Sequence, residues 1–179
     1  MNIILAVILI IFGIVMRLLP HPANFAPILA IGLFAGTYLD RKYAFWLPLI
    51  IMLISDFFLG FYNVWVMLAV YSSFILAVLI GVWIRKHKSL GNVFAGSIAG
   101  SLLFFFVTNF AVWLGTNLYP QTIDGLINCF ILAIPFFRSS LASDLVYTSV
   151  LFGAYELVKY ASRNKKLAFK QLFNTKVIK

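Results

Sequence analysis

The sequence predicts an all-α integral membrane protein: six transmembrane helices, both termini cytoplasmic, and an outer re-entrant or capping segment before the last helix. Three observations predict it. Of 179 residues, 63% are hydrophobic and 11% charged, against about 45–50% and about 25% in soluble domains. Apolar runs recur at close to the roughly 20 residues that a helix needs to cross a bilayer. The lysines and arginines gather in alternate connections, as the positive-inside rule expects. Together these exclude a soluble enzyme, a disordered chain and a nucleic-acid reader. The net charge of +9 sits largely in a basic tail, since seven of the 14 Lys and Arg lie from Lys159 onward, and such a tail suits an anionic membrane surface.

The first span covers Asn2 to Leu19. No Lys or Arg precedes it and no A-x-A site follows it, so it reads as retained and not as a cleaved signal. The second, Phe25 to Leu39, is short and must thin the bilayer or lean on its neighbours. The third runs from Ala44 to Phe61, the fourth from Val64 to Ile84 and the fifth from Asn92 to Gly115. The run Leu126 to Phe137 is too short for a span and contains Pro135, so residues 116–137 read as the outer segment. The last span is Ser139 to Tyr160. Residues 1–162 then form one six-helix domain, and 163–179 a basic amphipathic cytoplasmic tail.

This topology puts Arg41, Lys42, Arg85, Lys86, Lys88 and the seven tail cations on one face, leaving Arg17 and Arg138 on the other. The richer face is cytoplasmic by the same rule. Trp46 and Trp83 fall near cytoplasmic ends, Trp65 and Trp113 near outer ends, as interfacial tryptophans do. Small residues four apart, Gly32 and Gly36, Gly96 and Gly100, Ser149 and Gly153, allow close helix approach. They serve packing within the chain, or one pair docks a partner. Glu156 and Lys159 read as an ordinary helix-surface pair.

Polar residues at depth cost free energy unless paired or functional, and here they gather toward the outer half. The stiff connection RLLPHPANFAP carries His21 and Asn24. Asp56 ends the third span, either as a carboxylate paired with Arg138 or Arg17, or as part of a site. Asn109, Trp113 and Asn117 recur at steps of four, one helical stripe. Tyr119, Asn128, Arg138 and Asp144 follow. Clustered in this way, Asn24, Asp56, Asn109, Trp113, Asn117, Tyr119, Asn128, Arg138 and Asp144 describe a pocket opening outward. Its lid would be residues 17–27 and 116–137. Cys129 reads as a small apolar packer, and with one Cys and two His no metal site or cofactor is expected. No HExxH, Walker loop or GxSxG occurs, so the chain reads as no enzyme.

The blocks RLLPHPANFAPILAIGLFAG, LPLIIMLISDFFLGFYN, TNFAVWLGTNLYPQTIDGL and IPFFRSSLASDLVYTSVLFGAYEL resemble an uncharacterised family of small bacterial membrane proteins that carry a transport label. More distantly, the architecture is similar to the S components, the substrate-binding subunits of energy-coupling-factor vitamin transporters. That resemblance implies a small micronutrient bound near the outer face, an energising membrane subunit as partner, and residence in the bacterial cytoplasmic (inner) membrane. S components often carry Ala-x-x-x-Ala on the first span for docking on that subunit, whereas this chain has Ala6 and Gly13, seven apart. The expected function is vitamin-like uptake, with a non-transporting membrane scaffold as the alternative. The expected partners are the lipid bilayer, a small-molecule substrate and the energising subunit, with no nucleic acid.

Overall fold

The computed structural model describes the backbone of residues 2–176 and the side chains of residues 3–164. It is all-helical, with no strand among the described residues: α1 Asn2–Leu18, α2 Ile28–Tyr38, α3 Arg41–Leu59, α4 Val64–Lys86, α5 Leu90–Gly115 and α6 Ile123–Lys176. At one end, Arg85 of α4 reaches the last carbonyls of α2, and Lys88 pairs with Glu156 of α6. At the other, Arg17 of α1 meets Asp56 of α3, and Asn63 donates to the Gly115 carbonyl at 2.8 Å. Successive helices therefore alternate in direction. Connections 39–40 and 87–89 mark a basic end, and 19–27, 60–63 and 116–122 a loop end.

The short α2 is the centre of the molecule. Every residue from Ile28 to Thr37 is buried, so it is apolar all round and not amphipathic. Its 11 residues make ~16 Å of helix, and of the two options open to so short a run it leans on its neighbours. Against α4 the two backbones nearly touch: a Cβ on Gly36 would collide with the Val78 carbonyl and lie 2.9 Å from the Gly81 Cα. The Thr37 hydroxyl donates to the Gly81 carbonyl at 3.1 Å in that seam. Arg85 closes the C-terminus of α2 by donating to the carbonyls of Gly36, Thr37 and Leu39. Those carbonyls have no partner inside the helix, and a cation there also suits the helix dipole. Phe34 and Tyr38 pack their rings on Phe152 and Tyr155 of α6.

Four helices are long and apolar enough to cross a membrane, Arg41–Leu59, Val64–Lys86, Leu90–Gly115 and Ile123–Asn164, while Ile3–Leu18 and Ile28–Tyr38 are apolar but shorter. The outer surface is apolar as well, with Ile4, Ile8, Phe57, Phe58, Leu114 and Leu132 among many exposed side chains. A water-soluble monomer does not carry such continuous apolar surface. Trp46 and Trp83 are exposed toward the basic end, and Trp65 toward the loop end.

Several expectations need correction. Residues 123–137 are no separate outer segment, because α6 runs unbroken through Pro135. The proline removes one donor, but Phe130 and Phe137 on either side of it both pack on Phe105 of α5. Apolar surroundings also favour the helix that satisfies every other backbone group. Glu156 pairs chiefly with Lys88 and accepts from the Tyr38 hydroxyl at 2.7 Å, with Lys159 adding a weaker charge interaction along the helix surface. Gly32, Gly36, Gly96 and Gly100 all face neighbours within the chain, whereas a Cβ on Gly153 would meet open space. The amphipathic pattern expected of the tail falls on side chains outside the described residues.

Candidate functional site

At the loop end a cavity of about 350 Å³ lies among the helices. The connections supply its rim with His21, Asn24 and Tyr62; Phe74 and Phe104 wall it, and Ser140 and Asp144 of α6 line its depth. A neighbouring cleft of about 200 Å³ shares Asn24, Val70, Phe104 and Ser140 and adds Asn109 and Phe137. Prolines shape the rim: the Phe25 amide closes a turn on the Pro22 carbonyl at 3.0 Å. Inside that turn Asn24 takes φ 59°, a left-handed conformation that asparagine tolerates better than most residues.

Two buried carboxylates stand near this cavity in opposite settings. Asp56 is 1% exposed and lies 2.6 Å from Arg17, which also donates to Ser55 Oγ at 2.6 Å. Its second oxygen accepts from the Tyr71 hydroxyl at 2.9 Å. This is a buried ion pair in which the phenol serves one carboxylate oxygen, while the oxygen that faces the guanidinium has charge contact but no hydrogen bond. The alternative partner, Arg138, is exposed on α6. Arg17 lines the cavity, but its charge is answered from behind by Asp56. Burial, then the Asp56 carboxylate, push the phenol of nearby Tyr62 up to about 12, against a smaller opposing effect of Arg17.

Asp144 is 4% exposed and accepts from Ser101 Oγ at 2.6 Å; no basic group pairs with it among the described residues. Ser143 beside it donates to the Ala26 carbonyl at 3.3 Å, tying α6 to the start of α2. A carboxylate buried among apolar helices without a cation is costly, which makes Asp144 a candidate for function.

Of the nine residues singled out in the sequence, Asn24 and Asp144 line the cavity, Asn109 lines the adjoining cleft, and Asp56 holds Arg17 in place. Trp113, Asn117, Tyr119, Asn128 and Arg138 line neither volume. The stripe breaks because α5 ends at Gly115, before Asn117, and the Trp113 indole donates to the Pro120 carbonyl at 3.0 Å. Asn128 and Arg138 lie exposed on α6. The lid is half as expected: 17–27 roofs the cavity, while the 116–122 loop folds over the end of α5 through Gln121 on the Trp113 carbonyl. Cys129 is buried 3.4 Å from the Asn109 carbonyl.

A family described as a family of unknown function, DUF6580, matches residues 1–167. The chain belongs to DUF6580. No curated protein and no solved structure matches it. Sequence reasoning about this DUF6580 chain marked Arg17 only as one of the few outer-face charges, and it passed over Tyr62, Ser140 and the two wall aromatics as site residues. Ser140 had a signal, one turn before Asp144 on the same face. Phe74 and Phe104 had none among 19 phenylalanines.

Proposed function

We propose that this chain is a membrane-embedded binding and uptake protein of S-component type, which accepts a small vitamin-like molecule from the outer face. The observation that carries the reading is the loop-end cavity with an unpaired carboxylate at depth. Its volume of about 350 Å³ is at the lower end of the range for small-molecule sites. Phe74 and Phe104 offer flat apolar walls, and Asn24, Ser140 and Asp144 offer orienting polar groups. A substrate with an aromatic or apolar body and a cationic or hydrogen-bond-donating group suits this lining. In this reading the chain crosses the bacterial cytoplasmic membrane six times, with the basic end and both termini inside. It binds and carries without chemistry. The small residues Ala6 and Gly13 of α1 face inward, Gly13 against Ile51 of α3, so an energising subunit would dock elsewhere.

The test is to purify the chain from its native membrane and identify retained small molecules by mass spectrometry. Asp144→Asn and Phe104→Trp should each lower retention at least tenfold. Retention indifferent to both changes overturns the site. The scaffold reading has one observation in its favour, the open space at Gly153. It predicts a partner that is recovered in mild detergent and lost with Gly153→Leu, and no retained ligand.

A further inference from the structure

Ser140 precedes Asp144 by one turn of α6, and both line the depth of the loop-end cavity. Asp144 accepts from Ser101 through Oδ2, and its Oδ1 accepts nothing among the described residues. Ser140 is 7% exposed, and among the described residues its hydroxyl has no hydrogen-bond partner. The adjacent Ser143 is already spent on the Ala26 carbonyl. Buried polar atoms left open in this way cost free energy unless something pairs with them. The charges nearby do not supply it. Arg17 of α1 gives its guanidinium to Asp56, Ser55 and Met52, and Tyr71 of α4 is bonded to the same Asp56. His21 turns both ring nitrogens to the carbonyls of Pro22 and Arg17, and Tyr62 stands at the rim. On α6, Arg138 is exposed and Tyr147 packs on Phe12 and Phe25. The α2 wall is Ile28 and Leu29.

We propose that the cavity takes a small aromatic amine in its ammonium form, with Asp144 and Ser140 on the ammonium and the Phe74–Phe104 pair on the aromatic body. This rests on the uptake reading above and narrows its substrate to a monocation. An ammonium carries N–H donors and no acceptor, and the open atoms at depth, the Asp144 carboxylate and the Ser140 hydroxyl, can both accept. Their positions are one turn apart, ~6 Å along the helix, about the span of two N–H···O bonds of ~2.9 Å. A single positive charge also answers the one carboxylate that lacks a cation. An anionic group would meet Asp144 with like charge and find Arg17 already held. A neutral ligand would leave the carboxylate without a counter-charge. A hard metal cation wants six or more oxygen ligands, more than Asp144, Ser140 and Ser101 supply. The rest of the wall suits an organic body. Phe74 and Phe104 stack with centroids 5.3 Å apart, and aromatic faces attract cations as well as rings.

The experiment titrates the full chain, in phosphatidylcholine–phosphatidylglycerol nanodiscs, with four compounds that share one indole body and differ in charge. Tryptamine is the ammonium, tryptophan the zwitterion, indole-3-propionate the anion and 3-ethylindole the neutral form. Calorimetry should show tryptamine binding at least tenfold more tightly than each of the others. Asp144→Asn should abolish that preference. Ser140→Ala, which strands no partner within the chain, should weaken tryptamine at least threefold and keeps the test open if Asp144→Asn fails to fold. The proposal is overturned if none of the four binds, or if any of the other three comes within tenfold of tryptamine. It is equally overturned if the preference survives Asp144→Asn, or if Ser140→Ala binds tryptamine as the wild type does. Retention from the native membrane and accumulation in vesicles are read separately. A retained molecule that is neutral or anionic keeps the uptake reading and sinks the ammonium site. An Asp144-dependent tryptamine site in a chain that retains and accumulates nothing does the reverse.

Discussion

Asp56 and Asp144 are the same side chain in two different environments, and the difference lies in what faces them. Asp56 has a guanidinium and a phenol, Asp144 one serine hydroxyl. Removing one member of a buried ion pair leaves the other charged and unanswered, which costs about 3–5 kcal/mol. Arg17→Ala or Asp56→Ala should therefore lower the unfolding midpoint in detergent steeply. The double variant Arg17→Met with Asp56→Leu should recover most of the loss, since it strands no charge. Tyr71→Phe should cost ~1.5–3 kcal/mol, the worth of a hydrogen bond to a charged group. Asp144→Asn should be nearly neutral for stability, because Ser101 can still donate to the amide oxygen. Chemical denaturation of the five variants checks the set, and a strongly destabilised Asp144→Asn would make Asp144 a structural residue. The sequence made both acids conspicuous. It could not say which was paired, because the partners lie on other helices and only packing brings them together.

Among the elements, α2 shows what apolar periodicity conceals. A run buried on every side has no amphipathic pattern to reveal its neighbours, so its existence was legible and its central place was not. Gly32 and Gly36 pointed to a close approach, and the structure gives them α4 as partner. Arg85 was read only as a cytoplasmic charge, yet it closes the end of α2 with hydrogen bonds to three carbonyls. Arg85→Ala should strip those carbonyls of their partner and loosen the α2–α4 seam. Arg85→Lys should rescue little, since a point-like ammonium cannot spread over three acceptors. Amide hydrogen exchange over residues 33–39 should rise strongly in both, and unchanged protection would leave the cap without effect. The error over residues 123–137 has the same root as the blindness to α2. Pro135 and Arg138 look like breaks when read along the chain, but rings on α5 hold both sides of the proline.

For the whole molecule, length and charge together predict how the proposed six-span chain would lie in a bilayer. Residues Ile123–Asn164 form 42 residues of helix, ~63 Å, about twice the ~30 Å hydrocarbon core. That helix must therefore leave the membrane, and its charges say where. Arg41, Lys42, Arg85, Lys86 and Lys88 lie at or beside the connections of the basic end, and seven more Lys and Arg follow from residue 159. Arg17, the only cation of α1, is neutralised by Asp56. In the proposed six-span reading, the positive-inside rule would orient the basic end toward the cytoplasm. Reporter fusions test this. Alkaline phosphatase should be active after Asn63 and after Pro120, and inactive after Lys88 and after Asn164, where a fluorescent protein should instead mature. If residues 123–137 and 139–160 were two separate spans, the result at Asn164 alone would invert, because one extra crossing carries the C-terminus outside. That single position thus separates one continuous last helix from a seven-span chain. Activity at all four positions, or at none, would refute the alternating six-helix arrangement.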